Sequence, residues 1–298
     1  MRFPRLPWLL SVGVGAILAG TAAAYAPSVK LRPVALSLPQ TRARIALDDS
    51  RVAQDSVPAL SIPKLVGQGQ HWRLETTRGA VHVWVPHTYE PATAITVVYV
   101  HGYWTTVDGA WSGHRLPEQF ALSGINAMFI ACDAPSDKYQ QVAWPSLHGL
   151  LAAVVAEIGV SMPKGRVVAI GHSGGFRTLE QWLPNQRLDT IVLLDAAYGD
   201  TWGYRSWLYA DKQHRLIDVG DDTLKEADAL HKMMPGTLVV DGFPSDELTD
   251  EERAARILYI RSQLGHMPLV TGGHAIPTLL RALRAPRILT APIRTPLD

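Results

Sequence analysis

The sequence predicts an α/β fold, a doubly wound and mostly parallel β-sheet flanked by helices, with an antiparallel hairpin at its start. Three observations predict it. From about residue 71 onward, short runs of β-branched and apolar residues alternate with helical patterns, the order of strands joined by crossover helices. Several strand runs are apolar throughout, as strands covered on both faces must be. A chain of 298 residues with 47% hydrophobic content has the material for one large core. It depends on that core, because Cys132 is the only cysteine and no internal disulfide can form.

The elements follow in order. Residues 71–75 and 81–85 flank Thr77-Arg78-Gly79 and read as the hairpin. Residues 94–100 form a buried strand ending at His101-Gly102, and 115–122 a short helix stopped by Ser123-Gly124. A strand over 127–131, with Cys132 as a small apolar residue at its end, precedes a helix over 147–158. The strand 167–170 runs into a glycine-rich turn and a helix over 175–183, halted near Pro184-Asn185. Strands at 190–194 and 214–219, a helix at 224–234, an extended piece at 237–240 and a polar helix at 246–255 come next. Residues 257–260 read as the last central strand and 277–283 as the closing helix. Repeated βα units favour right-handed crossovers.

Before residue 71 the pattern changes. Arg2 and Arg5 precede an apolar run over 6–18 and small residues through Ala26, so 1–26 reads as a signal peptide. An uncleaved signal anchor is the competing reading, although the run is short against the roughly 20 residues of a membrane span. Residues 27–70, rich in Pro, Ser, Ala and Arg without periodicity, read as a linker or lead-in, and 71–298 as the folded domain. The expectation is an exported protein, periplasmic or extracellular, touching a membrane only through an uncleaved N-terminal segment. Its 28 basic and 27 acidic residues give a net charge of +1 with no Lys/Arg cluster along the chain, which argues against a nucleic-acid partner.

The sharpest chemical signal is Gly171-His172-Ser173-Gly174-Gly175. The pattern Gly-x-Ser-x-Gly is weak alone, but here a buried strand enters it and a helix leaves it. On such a turn only small neighbours avoid clashes, and the serine sits near a helix N-terminus that favours negative charge on a substrate oxygen. A glycine-rich turn with a capping serine is the bland reading.

A base for Ser173 must come from a loop at the same edge of the sheet. His266, in Gly265-His266-Met267-Pro268 behind the last central strand, is preferred over His274, in Gly272-Gly273-His274 beside the closing helix. For the acid, Asp195 at the end of the 190–194 strand is preferred narrowly over Asp222 after the 214–219 strand. The 11 histidines show no zinc-ligand spacing, so no metal and no organic cofactor is expected.

With these residues in place, the chain from about residue 71 to its C-terminus resembles the α/β-hydrolase superfamily. The order nucleophile, acid, histidine is that family's. Gly265-His266-Met267-Pro268 is similar to its Gly-His-x-Pro loop, and Leu194-Asp195-Ala196-Ala197 resembles the pancreatic-lipase branch, which places the acid after this strand. His101-Gly102 looks like the family's His-Gly loop, and by that resemblance the amides of Tyr103 and Gly174 form the oxyanion hole. The resemblance implies a serine hydrolase of carboxylesterase or lipase type acting on a small-molecule or lipid-like acyl substrate through an acyl-enzyme.

Specificity is less legible. Trp104, Trp111, Trp144, Trp202, Tyr204 and Trp207 fall in loops that can line a cleft or pack those loops onto the core, and 201–210 reads as a lid segment. A peptidase or amidase acting on cell-envelope material shares the same machinery, and a binding protein on a retired hydrolase fold is the non-enzymatic alternative.

Overall fold

The computed structural model describes residues 61–199 and 201–288. The expected signal segment and most of the expected lead-in lie outside them. The first element, α1 (Ile62–Gln68), falls inside the stretch read as lead-in. Pro63 occupies its first turn, where a missing N–H costs nothing. Leu65 and Val66 pack on the core, and the Trp84 indole donates to the Val66 carbonyl at 3.4 Å.

The chain continues through β1 (Gln70–Leu74), β2 (Val81–Val85), β3 (Ile95–Val100), α2 (Val107–Gly113), α3 (Leu116–Ser123), β4 (Ala127–Cys132) and α4 (Leu147–Glu157). Next come β5 (Val167–His172), a single 3-10 turn over Ser173–Gly175, α5 (Phe176–Trp182), β6 (Leu188–Leu194), α6 (Thr201–Ala210) and β7 (Arg215–Gly220). The remainder is α7 (Leu224–Lys232), β8 (Leu238–Asp241), α8 (Asp250–Ala254), β9 (Ile257–Arg261), α9 (Pro268–Thr271) and α10 (Ala275–Arg281).

The strands form one sheet in the order β1-β2-β4-β3-β5-β6-β7-β9-β8. β1 pairs antiparallel with β2, Leu74 opposite Val81, and β2 antiparallel with β4. All other pairings are parallel. This is the doubly wound, mostly parallel sheet that the alternating pattern predicts. The chain passes from β3 outward to β4, then returns past β3 to build β5 and everything beyond. The winding therefore reverses between β3 and β5, and in open α/β sheets such a reversal opens a crevice at the carboxyl ends of the strands. The loops carrying Tyr103 and Ser173 leave the sheet at that crevice.

Side-chain alternation divides the core into two layers. Along β4, Ala127, Phe129 and Ala131 enter one cluster with Trp111 of α2, Phe120 of α3 and Leu279 of α10. Met128, Ile130 and Cys132 enter the other, with Leu150 of α4, Leu179 of α5, Tyr204 of α6 and Leu230 of α7. Helices on both faces explain why β3, β4 and β5 are buried at every position.

The structure corrects several expectations. The predicted 115–122 helix is preceded by a second one, α2, whose N-cap Thr106 accepts from the Gly109 amide. The extended piece at 237–240 is a true edge strand, β8, lying outside β9. The polar helix contracts to α8 because Thr249 and Glu252 form a capping box that fixes its start. The lid reading fails for α6: Tyr204 and Leu208 are fully buried and Trp207 nearly so, and the Tyr204 hydroxyl donates to the Phe176 carbonyl at 3.3 Å. A helix anchored by that much apolar surface is a core layer. Trp111 and Trp144 are buried as well, which leaves Trp104 and Trp202 exposed among the six aromatics singled out from sequence. Among the described residues no helix is long and apolar enough to cross a membrane.

Candidate active site

Ser173 follows the last residue of β5 and adopts φ 47°, in the left-handed region. For a residue with a Cβ this costs on the order of 1–2 kcal/mol, and it is held by its surroundings. Gly175 sits so close to the end of β3 that a Cβ there would lie 2.8 Å from the Val100 carbonyl oxygen and 3.0 Å from that of His101. Gly102 meets the serine directly, since a Cβ on it would fall 2.8 Å from Cβ of Ser173. The Tyr103 ring lies against Gly174, where an added Cβ would meet ring carbons at 2.4 Å. These small residues bring the loop after β3 and the turn after β5 into contact. Tyr103 and Gly174 each follow a residue of that contact directly in the chain, and the first amides of a helical turn have no intrahelical carbonyl to reach.

The loop after β3 is tethered on its other side. The imidazole of His101, buried beneath the loop, donates from Nδ1 to the Gly102 carbonyl at 2.7 Å and accepts at Nε2 from the Ala134 amide at 3.0 Å. The Trp104 amide donates to Ser136 O at 2.8 Å, and Arg177 of α5 donates to the carbonyls of Asp137 and Gln140. Loops after β3 and β4 are thereby knitted to the helix that begins behind Ser173.

Asp195, at the end of β6, is fully buried and also has a left-handed backbone, φ 48°. Its carboxylate is saturated. Oδ1 accepts from the amides of Asp221 at 2.9 Å and Thr223 at 2.8 Å and from the Thr223 hydroxyl at 2.7 Å. Oδ2 accepts from the Asp222 amide at 3.1 Å and from Nδ1 of His266 at 2.5 Å, across 71 residues of sequence. Burial alone would push this carboxyl up, but the hydrogen bonds from His266, the Asp221 amide and Thr223 outweigh it and hold the group well below the usual carboxylate range. Conversely, the Asp195 hydrogen bond raises the His266 imidazole above its ordinary value against the opposing effect of burial.

The structure thus brings together Asp195 and His266 from the sequence candidates and sets the alternatives apart. The Asp222 carboxylate is 66% exposed and lies 3.9 Å from Nδ1 of His266, while its backbone amide serves Asp195. His274 stands at the start of α10, where Nε2 donates to the Pro244 carbonyl at 2.6 Å and the ring meets Phe243 edge-on. Asp195, Asp222 and His266 offer ligand atoms within 4.8 Å of one another, a spacing that could hold a cation. Here Nδ1 of His266 donates to Asp195 instead of offering a lone pair, and Asp195 accepts four further hydrogen bonds.

His172 was missed from sequence. Its ring, nearly fully buried, lies 4.6 Å from that of His266 and meets His114 edge-on at 5.8 Å. Nε2 donates to the backbone carbonyl of His266 at 3.3 Å, so the residue preceding Ser173 holds the loop bearing His266. Burial, then the neighbouring His266 and His114, push its pKa down to about 3. The signal was the period of two along β5, which places His172 on the same inward face as Val168 and Ile170.

No family model matches the chain, and no curated protein matches it in sequence. Solved structures do match. A serine-to-alanine mutant of the feruloyl esterase module from Clostridium thermocellum, complexed with sinapinate, aligns with a TM-score of 0.50 at 11% identity, covering 72% of this chain and 88% of that one. A predicted CIB-like hydrolase from Thermoplasma acidophilum aligns at 0.47 with 14% identity over 72% and 99% of the two chains. A fluorophosphonate-binding serine hydrolase of Staphylococcus aureus aligns at 0.48 with 11% identity over 71% and 97%. At 11% identity the likeness to the feruloyl esterase module, at a TM-score of 0.50, bears on the fold alone.

Proposed function

The chain carries the α/β-hydrolase fold, and from that premise we propose that it is a serine hydrolase cleaving carboxylic esters with Ser173, His266 and Asp195. One observation carries the proposal. A fully buried carboxylate and an imidazole, 71 residues apart in sequence, meet at 2.5 Å, and that imidazole lies 4.6 Å from the ring of His172, the residue preceding a serine held in a left-handed turn. A fold has no structural need for a strained serine there.

In this mechanism Nδ1–H of His266 is committed to Asp195, which leaves Nε2 as the basic nitrogen. The Ser173 Oγ attacks the ester carbonyl carbon and its proton passes to Nε2. The electron pair displaced onto the carbonyl oxygen is stabilised by the N–H groups of Tyr103 and Gly174. Collapse of this intermediate breaks the C–O bond, and the departing alkoxide takes the proton from Nε2. Water then attacks the acyl-serine with His266 again as base, releasing the acid and restoring Ser173.

Esters are the starting class because the feruloyl esterase module that shares this fold is an ester hydrolase by name. The exposed Trp104 at the crevice suits a leaving or acyl group with an apolar face. A kinetic panel of p-nitrophenyl esters and matched anilides tests the proposal. Saturable ester turnover that disappears in Ser173→Ala and His266→Ala is expected, and turnover of anilides with none of esters would replace it by an amidase. Export is part of the proposal: expression of the full chain should yield a mature protein outside the cytoplasm whose N-terminus lies near Ala24 to Ala26. Recovery of intact Met1-bearing chain in the cytoplasm would contradict it.

A further inference from the structure

At the opposite edge of the sheet, the N-terminal ends of β3, β5, β6, β7 and β9 surround a cavity of about 180 Å³. Its apolar floor includes Ile95 and Val168. Its wall sets Arg166, Lys212, Arg215, Arg256 and Arg284 against one carboxylate, Asp189. That carboxylate is occupied: Oδ1 lies 3.2 Å from Nη1 of Arg166, and Oδ2 accepts from the Thr190 hydroxyl at 2.9 Å. Among the described residues no carboxylate lies within ion-pair distance of Lys212, Arg215, Arg256 or Arg284. In a chain whose net charge is +1, four cations with no carboxylate at ion-pair distance around one cavity are a pronounced concentration.

Arg215 makes the cavity more than a basic surface. It is the first residue of β7 and is buried, and its Nε, Nη1 and Nη2 donate to the carbonyls of Ala255, Ala282 and Glu252 at 2.9, 3.0 and 3.2 Å. These bonds fix the guanidinium and occupy three of its five N–H groups. The helix ends that supply the carbonyls offer partial charge, not a full counter-ion. Burial, and then the charge of Arg284, push its pKa down to about 10, the direction expected of a cation held among like charges. Arg256 is fixed in the same way, with Nε donating to the His214 carbonyl at 3.0 Å and Nη2 to those of Leu208 and Asp211. Lys212 and Arg284 are exposed and stand at the mouth.

We propose that this cavity is a binding site for a small multivalent oxyanion of the phosphoryl type, held by Arg215 from within and by Lys212 and Arg284 at the mouth. Rigid donors are in place before the ligand arrives, so little ordering opposes binding. Four positive charges match a multivalent anion better than a singly charged one. The six residues of β5, roughly 20 Å at 3.3 Å per residue, separate the cavity from Ser173, so the site stands whether or not the serine is catalytic.

Isothermal titration of the full chain with inorganic phosphate, pyrophosphate and, as control, chloride at matched ionic strength tests the proposal. Saturable binding is expected for pyrophosphate and more weakly for phosphate, unchanged in Ser173→Ala. Lys212→Ala and Arg284→Ala remove exposed groups that pair with nothing among the described residues, so both variants should fold. Each should weaken pyrophosphate binding about tenfold, the loss of one charge-assisted hydrogen bond. No saturable signal up to 10 mM, or a double variant that binds as the natural protein does, would overturn the proposal. Co-sedimentation with phosphatidylglycerol vesicles, absent with phosphatidylcholine, would also overturn it if free phosphate and pyrophosphate gave no response, since the ligand would then be a lipid surface.

Discussion

Replacing Asp195 by Asn isolates one charge with little change of shape. Asn is among the few residues that tolerate a left-handed backbone, so the φ of 48° is not an added strain. The carbonyl oxygen of the amide keeps the three donors now on Oδ1, from Asp221 and Thr223, and the NH2 group then faces the Asp222 amide and His266. His266 can meet that NH2 only by accepting at Nδ1, which moves its own proton to Nε2. The tautomer that can take the Ser173 proton is lost, and kcat/KM should fall about 10³- to 10⁴-fold, or roughly 4–5 kcal/mol of transition-state stabilisation. The Asp222 amide is left facing a donor, so unfolding free energy should drop by about 1–3 kcal/mol. Because the Asp195 hydrogen bond raises the His266 pKa, the acid limb of the kcat/KM profile should lie above pH 6.5 in the natural protein and shift to lower pH in any residual activity of the variant. Ester kinetics across pH 5–9 and urea unfolding measure these effects. Activity within fivefold of the natural protein in Asp195→Asn, with loss in Asp222→Asn, would refute the assignment.

Three further predictions follow from the same geometry. His274→Ala removes a hydrogen bond to Pro244 O and should cost about 1 kcal/mol of stability while leaving ester turnover within twofold, as steady-state kinetics will show. Gly175→Ala forces a Cβ onto two backbone carbonyls that cannot move without β3, and should cost about 1–3 kcal/mol or more by denaturant titration and depress activity with it. The stability lost in Asp195→Asn should itself depend on pH. The carboxyl is depressed in the folded chain, so its contribution is present above the ordinary carboxylate range and lost as pH falls through the folded value. The His266 contribution has the opposite sense, complete below pH 6.5 and lost as pH rises through its raised folded value. Urea midpoints of both proteins from pH 3 to 9 test this.

The parts of the fold legible in sequence were those dictated by local physics. Strands buried on both faces announce themselves as continuous apolar runs, and Gly171-His172-Ser173-Gly174-Gly175 declares a tight strand-to-helix turn because no larger residue fits beside Val100 O and Leu179. What was not legible depended on contacts distant in sequence. Asp195 and Asp222 both end or follow strands at the same edge, and only the folding of residues 221–223 over Asp195 decides which carboxylate is buried and which one lends its amide. The 201–210 segment mixes aromatics with Gly203 as a lid would, yet the spacing of Tyr204, Trp207 and Leu208 makes one helical face apolar, and that face belongs to the core. α2 was hidden by Gly109 and Gly113, poor helix residues that the Thr106 cap and the burial of Trp111 override. The cationic cavity was invisible because Arg166, Lys212, Arg215, Arg256 and Arg284 are scattered along the chain and meet only where strands begin side by side.

A fluorophosphonate probe followed by peptide mass spectrometry tests whether Ser173 is an activated nucleophile. One covalent adduct is expected, on the peptide bearing Ser173, formed in a time-dependent manner at neutral pH. It should be absent in Ser173→Ala and slowed by orders of magnitude in His266→Ala. No adduct on the folded natural protein, or an adduct at another serine that persists in Ser173→Ala, would contradict it.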